Sequence, residues 1–333
     1  MRTILSVCAT AVMLVSISSV EGAELQWLDL RLSNYQYPFE VHHIRVENQR
    51  KRLVMAYMDV TPENHNGKNV LLLHGKNFNG AYWETTARAL LEKGYRVIIP
   101  DQIGFGKSSK PHHFHYSFHQ LASNTKAMLD SLGVEKVMVT GHSMGGMLAA
   151  RFVLMYPETA TKLVLVNPIG LEDWKLKVPY RPVGWWYERE LKKTAEDIKK
   201  YQLESYYDGK WKDEYDEWVN LLAGWTLNSD YERIAWNAAL TYDMIFTQPV
   251  VYEFPHISCP TLLIIGTRDR TALGKSLVDI EVRKTMGRYD KLGKETQKSF
   301  PDAELVELDG VGHLPHIERF EQFIEPYLKF LGK

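Results

Sequence analysis

A chain of 333 residues, 45% hydrophobic and 24% charged, has enough apolar content for a large core, which excludes a disordered or collagen-like polymer. Lys+Arg 40 against Asp+Glu 41 leaves a formal charge of -1. The basic excess of a nucleic-acid-binding surface is therefore missing, and no nucleic-acid partner is expected. Two cysteines, Cys8 and Cys259, are too few for a disulfide scaffold.

The chain opens with a transport signal. Arg2 supplies a positive start, residues 4–20 form an apolar stretch diluted by Ser and Thr, and Val20-Glu21-Gly22-Ala23 offers small residues for cleavage. Residues 1–22 read as a secretory signal peptide, which predicts a secreted or periplasmic protein. An uncleaved membrane anchor is the competing reading, since the run is close to the lower spanning limit of about 17 residues. Cleavage removes Cys8 and leaves Cys259 without an internal partner. No later segment is apolar enough to span, so no membrane association is expected after cleavage.

Two β-rich runs follow, 41–46 and 53–60, with Asn48-Gln49-Arg50 as the turn between them. The pattern then changes to alternation. Apolar strand-like runs at 70–73, 95–99, 136–140, 163–166, 261–265 and 304–308 are mostly separated by helical patterns at 81–92, 118–132, 144–155 and 317–330. Short Val/Ile/Leu runs alternating with amphipathic helices predict an α/β fold, a mainly parallel central sheet flanked by helices. One interval interrupts it. Residues 171–255 show no strand pattern and hold seven of the nine tryptophans, so they are expected to form a helical cap. The expected core is then split into residues 23–170 and 256–333.

The sharpest chemical signal is Gly141-His142-Ser143-Met144-Gly145, followed by Gly146. It sits directly between a strand pattern and a helix pattern, the setting that the nucleophile-elbow motif G-x-S-x-G requires. The strained turn lifts a serine hydroxyl above the sheet, and the glycines keep neighbouring backbone from colliding. The helix that starts there points its dipole and free N–H groups at the same place.

From these residues the chain resembles the α/β-hydrolase fold family, over nearly all of its length after the signal. Four motifs stand in family order. The resemblance implies that the His74-Gly75-Lys76-Asn77 loop gives one oxyanion-hole N–H, from Lys76, and that Met144 gives the second. Asn77 is a secondary candidate for that hole. Lys76 departs from the apolar residue often found there, which leaves its side chain free for another task. Asp101-Gln102-Ile103-Gly104-Phe105-Gly106-Lys107-Ser108 matches a loop that is mainly architectural, with Asp101 as a loop-fixing hydrogen-bonder. Asp269, after the strand pattern at 261–265, matches the acid of a catalytic triad. Some members carry that acid after the preceding strand, where this chain has Asn167, with Glu172 and Asp173 further on. His313, in Asp309-Gly310-Val311-Gly312-His313, matches the catalytic histidine. His316 is expected to cap or pack against the last helix.

The order Ser143, Asp269, His313 predicts a serine hydrolase in which His313 takes the serine proton and Asp269 orients the imidazole. No cofactor and no metal are implied. The His112, His113, His115 and His119 cluster lacks the carboxylate or cysteine pattern of a metal site. Arg268 and Arg270 read as solvated charge, with recognition of an anionic substrate as the alternative. The expected substrate is a small carboxylic ester, lactone, thioester or amide with an apolar portion. A carbon–carbon bond hydrolase, a cofactor-free haloperoxidase and a ligand-binding receptor of the same fold stay open at this point.

Overall fold

The structure, a computed structural model, describes residues 25–207 and 209–333; the expected signal peptide, with Cys8, lies outside the described residues. The first two strands, β1 (Val41–Asn48) and β2 (Lys51–Val60), pair antiparallel around Gln49 and Arg50. Both turn residues have positive φ, 51° and 62°, as a two-residue hairpin loop of this twist demands. The Gln49 side chain is held there by two hydrogen bonds of 2.9 Å with the backbone of His115.

The alternating part begins with β3 (Asn69–Leu73), helix α1 (Glu84–Glu92), β4 (Arg96–Pro100), α2 (Phe118–Ser131), β5 (Val137–His142), α3 (Met144–Met155) and β6 (Ala160–Val166). Four α-helices with no strand between them follow: α4 (Val183–Leu191), α5 (Ala195–Ser205), α6 (Asp216–Thr226) and α7 (Tyr231–Thr247). The chain then returns with β7 (Thr261–Gly266), α8 (Ile280–Lys284), α9 (Tyr289–Gln297), β8 (Ala303–Leu308), α10 (Pro315–Glu318) and α11 (Phe320–Gly332). The eight strands form one sheet in the order β1-β2-β4-β3-β5-β6-β7-β8. Every pair from β4 to β8 is parallel, and only the pairs involving β2 are antiparallel.

Strand periodicity divides the core in two. Leu71, Leu73, Val139, Leu163, Leu165, Leu263 and Ile265 point to the face covered by α2, α3 and α9. Their sequence neighbours Val70, Leu72, Met138, Val164, Val166, Leu262 and Ile264 point to the face covered by α1 and α11. This two-sided burial explains why the strands read as continuous apolar runs. Among the described residues no helix is long and apolar enough to cross a membrane.

Two details differ from the sequence pattern. The expected helix 81–92 begins as a tight turn, Gly80–Trp83, before α1, and the last helix is broken at Arg319, whose φ of -143° and ψ of 61° are not helical. The segment between β7 and β8 also holds α8 and α9, where no helix pattern was apparent. The buried residues of α9 are Tyr289, Gly293 and Thr296, so helical spacing is present but two of the three residues are not apolar. Gly293 is small because the helix lies close on the sheet: a Cβ there would be 3.2 Å from both Ile265 and Leu305.

The loop after β4 is built around Asp101, which is 1% exposed. Its carboxylate accepts hydrogen bonds from the Tyr37 hydroxyl at 2.6 Å, the Gly80 N–H at 2.7 Å and the Lys107 N–H at 2.7 Å. A Cβ on Gly106, whose φ is 47°, would collide with that carboxylate. Asp101 thus ties the N-terminal segment, the turn before α1 and its own loop together. Asp101→Ala leaves two buried donors and a part-buried one without an acceptor and is expected to lower unfolding free energy by about 3 kcal/mol, measured by chemical denaturation.

Candidate functional site

At the end of β5 the chain turns sharply into α3 through Ser143, at φ 56° and ψ -122°. The turn is possible because the glycines around it have no side chains. A Cβ on Gly141 would strike the Gly145 carbonyl, one on Gly145 the Leu73 carbonyl, and one on Gly146 the Pro168 ring. Ser143 itself is tied down by its N–H to Val166 O at 3.3 Å and by its carbonyl, which accepts from Gly146 and Ile169.

The Ser143 hydroxyl lies 3.0 Å from His313 Nε2, and His313 Nδ1 lies 2.6 Å from Asp269 Oδ2. All three residues are buried, His313 and Asp269 completely. Burial would raise the Asp269 carboxyl, but the His313 ring and the Thr271 N–H outweigh it and hold Asp269 below the usual range. An ionised carboxylate only accepts, so Nδ1 carries the imidazole proton and Nε2 presents its lone pair to the Ser143 O–H. Asp269 has two further donors, the Thr271 N–H at 2.7 Å and Asn167 Nδ2 at 2.9 Å. The position where some relatives carry the acid therefore holds an amide that supports Asp269 instead. Glu172 and Asp173 are engaged elsewhere, with Lys177 and Gly287 and with Tyr252 and Lys175.

The loop after β3 lies against the serine. A Cβ on Gly75 would be 3.1 Å from Ser143 Cβ. Among the described residues neither the Lys76 N–H nor the Met144 N–H has an acceptor within the protein, so both are free to donate to a ligand oxygen. Asn77 is occupied differently: its Nδ2 donates to the Tyr206 hydroxyl at 2.9 Å.

Residues 68–320 match the family described as alpha/beta hydrolase fold. The chain belongs to that family. A solved structure of a probable hydrolytic enzyme from Pseudomonas aeruginosa PAO1 is 50% identical, with TM-score 0.91, covering 92% of this chain and 99% of that one. Lipase 1 of Psychrobacter immobilis is 26% identical over 84% of this chain and 83% of its own. A 2-hydroxy-6-oxo-2,4-heptadienoate hydrolase of Pseudomonas putida is 33% identical over 32% of this chain, a match spanning 39% of that relative.

Several residues of this α/β hydrolase hold the site in ways its motifs do not announce. His142 is the variable residue of Gly141-His142-Ser143, yet it is fully buried and clamps three segments. Its Nε2 donates to the His313 carbonyl at 2.8 Å. Its Nδ1 then accepts from the Tyr82 hydroxyl at 3.0 Å, and that oxygen in turn accepts from the Gly75 N–H. Burial, reinforced by the neighbouring histidines, keeps His142 far below the ordinary imidazole value and hence neutral. Arg268 is not a solvated charge. It pairs with Glu318 and donates from Nε to Gly310 O at 2.8 Å, while Glu318 also accepts from the Gly312 N–H at 2.9 Å. The pair fixes the loop that carries His313. Arg270 donates to the Thr267 and Asp269 carbonyls and steadies the acid loop in the same way. In the histidine cluster, His112 accepts from Arg233 Nε at 2.9 Å.

Tyr206, just beyond α5, comes from the helical insertion. Its ring stacks on His313 with centroids 4.7 Å apart, its carbonyl accepts from the His313 N–H at 3.3 Å, and its hydroxyl holds Asn77. Nothing in the local sequence marks it, because the contact joins residues far apart in the chain. Tyr206→Ala is expected to slow acylation of the protein by a fluorophosphonate about tenfold or more through misplacement of His313, and Tyr206→Phe, which keeps the stacking, is expected to slow it less.

His316 packs rather than caps. Its ring stacks on Trp83 at 4.4 Å and faces Phe323 of α11, and neither ring nitrogen has a hydrogen-bond partner among the described residues. Burial, with the His313 ring adding to it, lowers its pKa to about 3. The unfolded chain takes up this proton near 6.5 while the folded one resists it down to about 3, so stability is present above 6.5 and declines as pH falls through that window. His316→Phe is expected to flatten the pH dependence of unfolding free energy between pH 6 and 4 by about 1.4 kcal/mol per pH unit.

Proposed function

We propose that the protein is an exported serine hydrolase that cleaves a carboxylic ester, or a related lactone or thioester, through an acyl-enzyme on Ser143. The observation that carries this reading is the continuous hydrogen-bonded chain from Ser143 through His313 to Asp269. His313 Nε2 removes the hydroxyl proton as Oγ attacks the ester carbonyl, and Asp269 stabilises the resulting imidazolium. Negative charge on the carbonyl oxygen falls to the Lys76 and Met144 N–H groups, each worth about 3 kcal/mol of barrier in sites of this kind. Collapse breaks the bond to the leaving oxygen, which takes the proton from His313. Water then attacks the acyl carbon, its proton passing through His313 to Oγ, and the acid departs. The insertion of α4 to α7 acts as the cap that shields the intermediate.

The match to the Pseudomonas putida hydrolase supports a second reading, hydrolysis of a carbon–carbon bond in a dienoic diketone by the same residues. Intact-mass spectrometry after a fluorophosphonate probe tests the shared part. A single adduct on the wild type and none on folded Ser143→Ala is the expected result; labelling of the mutant would place the reactive group elsewhere. The same spectrum of protein recovered from the exported fraction is expected to show a chain beginning at Ala23. An ester and diketone panel then separates the two substrates.

A further inference from the structure

The side chain of Lys76 has no task in the chemistry above. It rises from the loop that lies against the serine, and its ammonium lies 3.7 Å from the ring centroid of Tyr242 on α7. Among the described residues it has no hydrogen-bond acceptor and no ion pair. The nearby carboxylate, on buried Glu190, is committed to Lys193 at 2.5 Å. Lys193 is one-third exposed and keeps contact with solvent, whereas the Lys76 amine is enclosed beside the Tyr242 ring.

That amine borders a cavity of about 60 Å³ between the oxyanion loop and the insertion. Lys76, Asn77, Glu190 and Lys193 line it together with the apolar side chains of Leu222 and Trp225. One water needs about 10–15 Å³ of such space, so the cavity is large enough for a carboxylate group. Burial already pulls the Lys76 ammonium down to about 7, with Glu190 acting against this and Lys193 adding to it. An unpaired cation in such a place is costly, and an incoming anion removes that cost.

We propose that Lys76 binds a free carboxylate of the substrate, so that the ester or lactone cleaved at Ser143 is the half-ester or cyclic ester of a compound that also bears an acid group. The inference rests on the reading of Ser143 as the nucleophile. The loop supplies two functions at one residue: the backbone N–H of Lys76 addresses the reacting carbonyl and its side chain addresses the distal acid. Neutral esters lack the second contact. A long lipid chain would instead bring only apolar surface to an uncompensated ammonium.

The test separates binding from turnover. Calorimetric titration of Ser143→Ala protein with monomethyl esters of C4 to C8 dicarboxylic acids, against the matching dimethyl esters, reads recognition without hydrolysis. At least one monoester is expected to bind about tenfold or more tighter than its diester. Adding Lys76→Met is expected to erase that preference, while Lys76→Arg keeps part of it. Equal affinities, or no monoester binding at millimolar concentration, would overturn the proposal without any Lys76 variant. So would a preference that survives Lys76→Met. If Lys76 merely latched the insertion through Tyr242, mono- and diester affinities would change together. Failure of the nucleophile reading is seen separately, as absence of fluorophosphonate labelling on the wild type.

Discussion

Ser143 occupies a backbone conformation that L residues rarely adopt, and the rest of the site is arranged around it. Such a residue costs of order 1–3 kcal/mol and persists only where its surroundings leave no alternative. Here they leave none. Ser143 is fixed from β6 by Val166, while its own carbonyl is shared between Gly146 and Ile169. The α3 helix that follows is buried along nearly its whole length. Gly141 lets α3 fold back close on β5, and Gly145 lets the turn press against the end of β3, where the Gly75–Lys76 loop meets the serine. Strain in one residue is thus offset by packing of three strands and a helix.

Burial also assigns the histidines their roles. His74, His142, His313 and His316 are all enclosed, and burial holds His74, His142 and His316 below the ordinary imidazole value. Neutral imidazole is the form an apolar surrounding tolerates. His74 donates to the Gly75 carbonyl and accepts from the Gln102 N–H, and His142 joins the Tyr82 hydroxyl to the His313 carbonyl. Only His313 faces both a carboxylate and a hydroxyl. The insertion takes part as well, since Tyr206 reaches His313 with its ring and backbone and Asn77 with its hydroxyl. Movement of that segment would shift His313 and Asn77 together.

Much of this was legible in the sequence. Strand runs at 70–73, 163–166 and 261–265 stand out because both faces of those strands are buried, so that apolar residues are continuous. The helix after Ser143 could be placed because glycine and serine mark a turn with a steric cause. Helix α9 was not legible, since its inward face is made by Tyr289, Gly293 and Thr296 and its apolar period is weak. Arg268 was misread as solvated charge for a related reason: its partner Glu318 lies fifty residues further on, and no local pattern links them.

The sequence by itself determined the order of the strands and of most helices between them, the strained turn at Ser143, and the acid and histidine that the structure joins to it by hydrogen bonds. Those properties depend on local sterics and on the spacing of apolar side chains, both of which a linear chain displays. Only the tertiary structure decided that Asn167 supports Asp269, that His142 and Tyr206 hold His313, and that Lys76 has a ring beside it and, among the described residues, no acceptor. These are relations between groups brought within a few ångströms by packing, where direction and burial, which no spacing in the chain encodes, set the chemistry.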